Sequence, residues 1–165
     1  MLAETGEASD AVHQITSGIA ALRSTGSTWS LPTWLSYLAK TYADLRQFEN
    51  AWRCISEAIV AVEKTKERWF EADINRMAGA ITLKSPEPDA AKAEAYFQRA
   101  LAIAREQQAK SWELRAAMSM APLWRDQEKP QQARELLAPV YGWFTEGFET
   151  LDLKKAKASL DELAA

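Results

Sequence analysis

Apolar residues along this chain recur at intervals of three and four, the spacing that lines one face of a helix, and not at the alternating interval of a strand. The stretch from Leu38 to Ile59 is representative. Leu38, Ala39 and Tyr42 fall on one helical face, and Ala51, Ile55, Ala58 and Ile59 on another. The polar segment DLRQFEN lies between them, so the stretch predicts two antiparallel helices joined by a tight turn. The same reading predicts helices at about 8–24, 31–46, 48–65, 68–84, 88–109, 111–128, 130–146 and 150–164. The fold class expected is all-α.

The pattern repeats. A shift of 82 residues carries Leu38, Ala39 and Tyr42 onto Met120, Ala121 and Trp124, and Ala51, Ile55 and Ala58 onto Ala133, Leu137 and Val140. A middle unit fits between them. Met77 and Ala78 lie 39 residues after Leu38 and Ala39, and Ala93, Phe97 and Ala100 lie 42 after Ala51, Ile55 and Ala58. The difference falls at KSPEPDAA, where a turn belongs. A backward shift of 40 reaches Ala11, Ile15, Gly18, Ile19 and Leu22, the second helix of a truncated unit. The chain therefore reads as a single domain over 1–165: a half-repeat at 8–24, repeats at about 31–65, 68–109 and 111–146, and a capping helix at 150–164. Small residues let helix backbones approach where they cross, so Ala51, Ala58, Ala93, Ala100, Ala121 and Ala133 are expected to be buried. One helix pair cannot cover its own apolar face, so neighbouring pairs must stack.

Helix ends carry their own signals. Ser30 before Pro32, a cap residue before Pro in SPEPD, Ser111 and Thr150 are candidate N-caps. Gly147 suits a left-handed residue at a helix C-terminus. In the turns inside the first and third pairs, Arg46 and Glu128 stand where a left-handed glycine would be favoured, which predicts turns of a different build. Tyr141, Trp143, Phe144 and Phe148 are expected to face the last helix or the preceding pair. That last helix carries one stripe of Leu153, Ala156, Leu160 and Leu163. On the first helix the stripe Val12, Ile15, Ile19 and Leu22 has no preceding partner helix, leaving an apolar edge for a second chain.

The order large–small–aromatic, then small–large–small, resembles the tetratricopeptide repeat, with a period of about 40 residues as in the lengthened-helix variety found in large bacterial regulators. The segment from Tyr96 to Leu163 also resembles the C-terminal tail of bacterial proteins that join a class III adenylate or guanylate cyclase domain, or a DNA-binding activator domain, to an ATPase module and a helical-repeat tail. Pro122 stands where such tails usually have Arg, and Glu128 where they have Gly. The resemblance implies a scaffolding or regulatory tail without the catalytic modules.

Composition narrows the chemistry. The 165 residues carry a formal net charge of −3 and a pI near 5.3, which disfavours electrostatic capture of nucleic acid. No apolar stretch is long enough to span a bilayer, the opening MLAETGEASD lacks the apolar core of a signal peptide, and the single Cys54 excludes an internal disulfide. A cytoplasmic protein is expected. His13 is the only histidine and is expected to face solvent; Cys54, beside Ile55, reads as a small buried hydrophobe. Neither phosphate-binding glycine motif is present. No catalytic residue, cofactor or metal ligand is expected, and the chain does not read as an enzyme.

Binding fits better. In stacked helix pairs the first helices line an inner groove, and register points there from Ser36, Lys40, Asp44, Asn75, Arg76, Arg115, Met118, Ser119 and Arg125. Lys40, Asn75, Arg115, Met118 and Arg125 form the candidate peptide site, a cationic lining suited to an acidic segment or a terminal carboxylate. Lys40 and Asn75 match part of the carboxylate clamp of chaperone-binding repeats. Trp69 and Trp112, 43 residues apart at the starts of successive first helices, read as packing between repeats. The function expected is a non-catalytic protein- or peptide-interaction module. Alternatives are homodimerisation through the N-terminal helix, or a sensor holding a small molecule or peptide between helices.

Overall fold

The computed structural model describes residues 2–164, with side chains over 8–164. Among these residues there are eight helices and no strand: α1 (Leu2–Ser24), α2 (Leu31–Asp44), α3 (Phe48–Thr65), α4 (Glu71–Lys84), α5 (Ala90–Glu106), α6 (Lys110–Asp126), α7 (Pro130–Gly142) and α8 (Leu151–Glu162). Helix α2 packs on α3, α4 on α5, and α6 on α7, as three antiparallel pairs. The first helices α2, α4, α6 and α8 also neighbour one another in that order and form an inner layer. The fold is thus a stack of helix pairs, and the paired register explains it. Ala51, Ala58, Ala93, Ala100, Ala121 and Ala133 are all at most 1% exposed. Ile55, Phe97 and Leu137, the large residues between them, are equally buried.

The middle pair departs from the others in size. Phe97 replaces the smaller Ile55 and Leu137, and Gly79 lies against its ring. A β-carbon built on Gly79 would stand 2.5 Å from Phe97 Cε1 and 2.7 Å from Cδ1. Only hydrogen fits there, so this glycine sets how closely α4 and α5 approach.

The turns differ from the expectation at Arg46 and Glu128. Both adopt the left-handed conformation despite their side chains, with φ of 60° and 61°, as does Gln108 with φ 54°. The cause lies in the backbone bonds that close each helix. Gln47 N–H donates to the Tyr42 carbonyl (2.8 Å) and Arg46 N–H to the Ala43 carbonyl (3.0 Å). Lys129 and Glu128 repeat this on Trp124 and Arg125, and Ala109 and Gln108 on Ala104 and Arg105. Each is the paired closure that demands a left-handed residue after the helix. The geometry is the usual one, held by non-glycine residues.

Several caps also differ. Ser30 is itself left-handed and makes no side-chain cap. Asp89, following Pro88, caps α5 by accepting from Lys92 N–H at 2.9 Å. The closure at Gln108 feeds Ala109 directly into α6, so the helix begins at Lys110 and Ser111 sits inside its first turn. Thr150 holds the N-cap position of α8 in extended conformation, without a side-chain bond. Gly147 is left-handed at φ 76°, but α7 has already ended at Gly142, so it shapes the connector to α8. Pro122 lies within α6 on an exposed side; the helix runs on through it.

At the N-terminal end, the stripe of α1 folds back on the chain's own first pair. Ile19 is buried, and Val12, Ile15 and Leu22 pack against the α2–α3 core. Arg23 pairs with Glu57 of α3. At the other end Leu153 and Ala156 of α8 are buried, with Leu160 and Leu163 packed partly over the same core. Of the aromatics in the α7–α8 connector region, Tyr141 and Phe144 pack on that core. Trp143 and Phe148 are not part of it: they are exposed, in ring contact with Phe144 and Tyr141 respectively.

Candidate interaction surface on the inner helices

Four helices running in parallel bring their N-terminal ends to one edge of the inner face and their C-terminal ends to the other. At the N-terminal edge an aromatic row forms around buried Phe70. The rings of Tyr37, Trp69 and Trp112 meet Phe70 edge-on at centroid distances of 5.8, 5.2 and 5.0 Å. Trp34 extends the row from Tyr37 at 6.1 Å. Such edge-to-face contacts are the favoured aromatic geometry. Trp112 packs between units as its register implied, whereas Trp69, Trp34 and Tyr37 each leave more than a third of their surface exposed. Trp34 and Tyr37 are not among the residues that register places in the groove. Their three-residue spacing on α2 was the available signal, but nothing local showed that Phe70 stands beside them.

The row ends on a cation. The Arg115 guanidinium lies over the Trp112 ring at 4.8 Å, and its Nε donates to Asp152 of α8 at 2.6 Å. One turn further along α6, Ser119 donates to the Arg115 carbonyl. Arg76, Arg115, Met118 and Ser119 line an open cleft of about 560 Å³ whose far wall is Asp152, Lys155, Ser159 and Glu162 of α8.

Of the five candidate residues, Arg115 and Met118 share this cleft. Arg125 lies at the C-terminal edge and donates to Glu162 of α8 at 3.0 Å. Lys40 belongs to a separate cluster. It donates to Asp44 at 2.8 Å, and Lys84 reaches the same carboxylate at 2.6 Å. Burial alone would push the Asp44 carboxyl up, but those two ammonium groups hold it below the usual carboxylate range. Asn75 is not in the groove. It is 3% exposed, donates to the Glu71 carbonyl at 2.9 Å, and borders a crevice with Ile59, Val62 and Arg99 of the outer helices. One residue is a 100° step around a helix, so Arg76 takes the inner position and Asn75 the outer-layer side. Ser36 is likewise buried, donating to the Thr33 carbonyl. A net positive lining is also corrected. Lys40, Arg115 and Arg125 each hold a carboxylate: Asp44 of the same helix for Lys40, and Asp152 and Glu162 of α8 for the two arginines.

Elsewhere the chemistry is subdued. Cys54 is buried, and burial pushes its thiol up despite nearby Arg53. His13 is exposed. Glu113 is almost fully buried between Arg105 (2.8 Å) and Lys110 (2.7 Å). Desolvation raises its carboxyl, and the two cations outweigh that and hold it low. Among the described residues no group of three metal-ligating side chains stands together, and no helix is long and apolar enough to cross a membrane.

No protein-family model matches the chain, and no curated protein sequence matches it either.

Proposed function

We propose that this chain is a non-catalytic helical-repeat module of the tetratricopeptide kind, which captures a protein partner on its inner face. It serves as a scaffolding or regulatory tail of a bacterial signalling protein in the cytoplasm, or as a free-standing relative of such tails. The observation that carries the reading is the continuous row of rings that links exposed Trp34, Tyr37 and Trp69, through Phe70 and Trp112, to Arg115 of the Arg76–Arg115–Met118 cleft. Aromatic and Arg side chains are the usual anchors of protein interfaces, because they combine large contact area with directional hydrogen bonds. The reading is tested by capture with the purified chain and mass identification of what binds. Reversing Arg115 and Arg125 to Glu is expected to weaken capture of the identified partner. Both arginines are surface residues, so the helix-pair core is untouched, although Glu at either position repels Asp152 or Glu162 and loosens α8. Undiminished capture by the double variant would move the site elsewhere.

A second reading is self-association through α1, and one observation favours it. Ala11, Ile15 and Gly18 occupy the positions of Ala51, Ile55 and Ala58, which are at most 1% exposed. In α1 the same face is only partly covered: Ala11 and Ile15 are half-buried, and Gly18 is exposed above an apolar cleft shared with Trp34. Sedimentation at high protein concentration tests it: a monomer removes the reading, and a dimer that Gly18→Arg abolishes supports it.

A further inference from the structure

The helix α8 is joined to α7 by residues 143–150, a connector that contains left-handed Gly147 and directly follows Gly142. Trp143 and Phe148 within it are exposed, and so is Leu151 at the start of α8. The helix itself is lightly seated. Of its residues only Leu153 and Ala156 are buried, whereas α6 beneath it buries residues on nearly every turn. Two ion pairs complete the seat: Asp152 on Arg115 and Glu162 on Arg125. Both span 37 residues of sequence, so the two helices lie parallel and in register. The remaining cations of α8, Lys154, Lys155 and Lys157, are exposed.

We propose that the seat of α8 on α6 is a helix-docking site, and that α8 is its displaceable resident. Opening at the connector uncovers Leu114, Phe144, Arg115 and Arg125. With Asp152 and Glu162 gone, Arg115 loses its carboxylate and Arg125 keeps only the exposed Asp126 beside it in sequence, with apolar Leu114 and Met118 on the same strip. Its complement is an amphipathic helix with a carboxylate near each end and small or aliphatic residues between, the chemistry that α8 itself displays. The inference rests on the inner face being the partner site, and it makes α8 an autoinhibitory occupant that an acidic partner helix replaces.

Hydrogen exchange on the full chain gives the first test. Elements with few buried contacts open at lower free energy than the core, so α8 amides should exchange together at least about 100-fold faster than those of α6. Equal protection of the two helices would overturn the proposal. The second test adds a fluorescent peptide of residues 150–164 to the full chain and reads anisotropy. Leu153→Asp in the chain unseats its own α8 and should tighten peptide binding at least about tenfold over the unmodified chain, by removing the intramolecular competitor. Asp152→Lys with Glu162→Lys in the chain repeats this with surface changes that do not threaten the fold. A peptide carrying those two lysines should fail to bind. Arg115→Glu with Arg125→Glu, in the Leu153→Asp chain, should restore its binding. Equal binding of native and charge-reversed peptides would overturn the proposal. A dimer of the unmodified chain that the peptide dissolves would also overturn it, since the occupant would then be a second copy. Neither experiment uses a foreign partner, so their failure and failure of the capture assay remain distinct.

Discussion

Replacing Gly79 by Ala pits two effects of opposite sign against each other. In a helix interior Ala is favoured over Gly by about 1 kcal/mol, so on local grounds the substitution stabilises. The packing says otherwise. The new β-carbon would lie 2.5, 2.7 and 3.0 Å from three ring carbons of Phe97, where carbon–carbon contact wants roughly 3.5–4.0 Å. Phe97 is 1% exposed and cannot swing its ring into water. Relief requires α4 and α5 to part by about 1 Å, or the ring to leave its rotamer, and overpacking of this kind costs about 1–3 kcal/mol. The net expectation is a loss of up to about 2 kcal/mol, or several degrees in Tm for a chain of this size. Gly18 in α1 is the internal control, since a β-carbon there meets nothing within 4 Å. Gly18→Ala should therefore stabilise by up to about 1 kcal/mol. Urea unfolding followed by far-UV circular dichroism measures both. Adding Phe97→Leu, the size found at Leu137, should recover part of the loss, so the double variant is more stable than the sum of the singles. If Gly79→Ala raises stability as Gly18→Ala does, the close approach of α4 and α5 is refuted.

Ala100→Leu should destabilise by about 1–3 kcal/mol in the same assay, because Ala100 is fully buried at a helix crossing. Arg46→Gly, Gln108→Gly and Glu128→Gly should each stabilise by up to about 1 kcal/mol, since left-handed backbone costs an L-residue about 1–2 kcal/mol and glycine's own entropic penalty offsets part of that; all three side chains are exposed, so no core packing is lost. Glu113 and Asp44 are held below their ordinary values of 4.5 and 3.8, so their contribution is full above those values and is lost as pH falls through the lowered folded values. Acid titration of stability should show this loss below about pH 4.5, and Glu113→Gln should flatten it; an unchanged acid limb would remove Glu113 from the account.

Where the pattern repeats, the chain was legible from its sequence. The alternation of small and large residues at Ala51–Ile55–Ala58 and their equivalents determined which helices pair and which alanines are buried, because helices of about four to five turns must bury a stripe of fixed period. The short polar turns determined that neighbours are antiparallel. Helix ends were less legible. Ser111 looks like a cap, but the end of α5 is closed by backbone bonds made before Ser111 is reached; those bonds force Gln108, and the matching closures of α2 and α6 force Arg46 and Glu128, into a conformation that their side chains disfavour. The inner surface was decided by tertiary structure. A rotation of one residue sends Asn75 outward and Arg76 inward. The electrostatics of Arg115 and Arg125 depend on carboxylates 37 residues away, and the ring that Tyr37 meets, Phe70, comes from 33 residues further along the chain. Periodicity reports which face of a helix is apolar. It does not report which partner's polar atoms meet the other face, because charged pairs are weak, long-sided and set only after the apolar faces have docked.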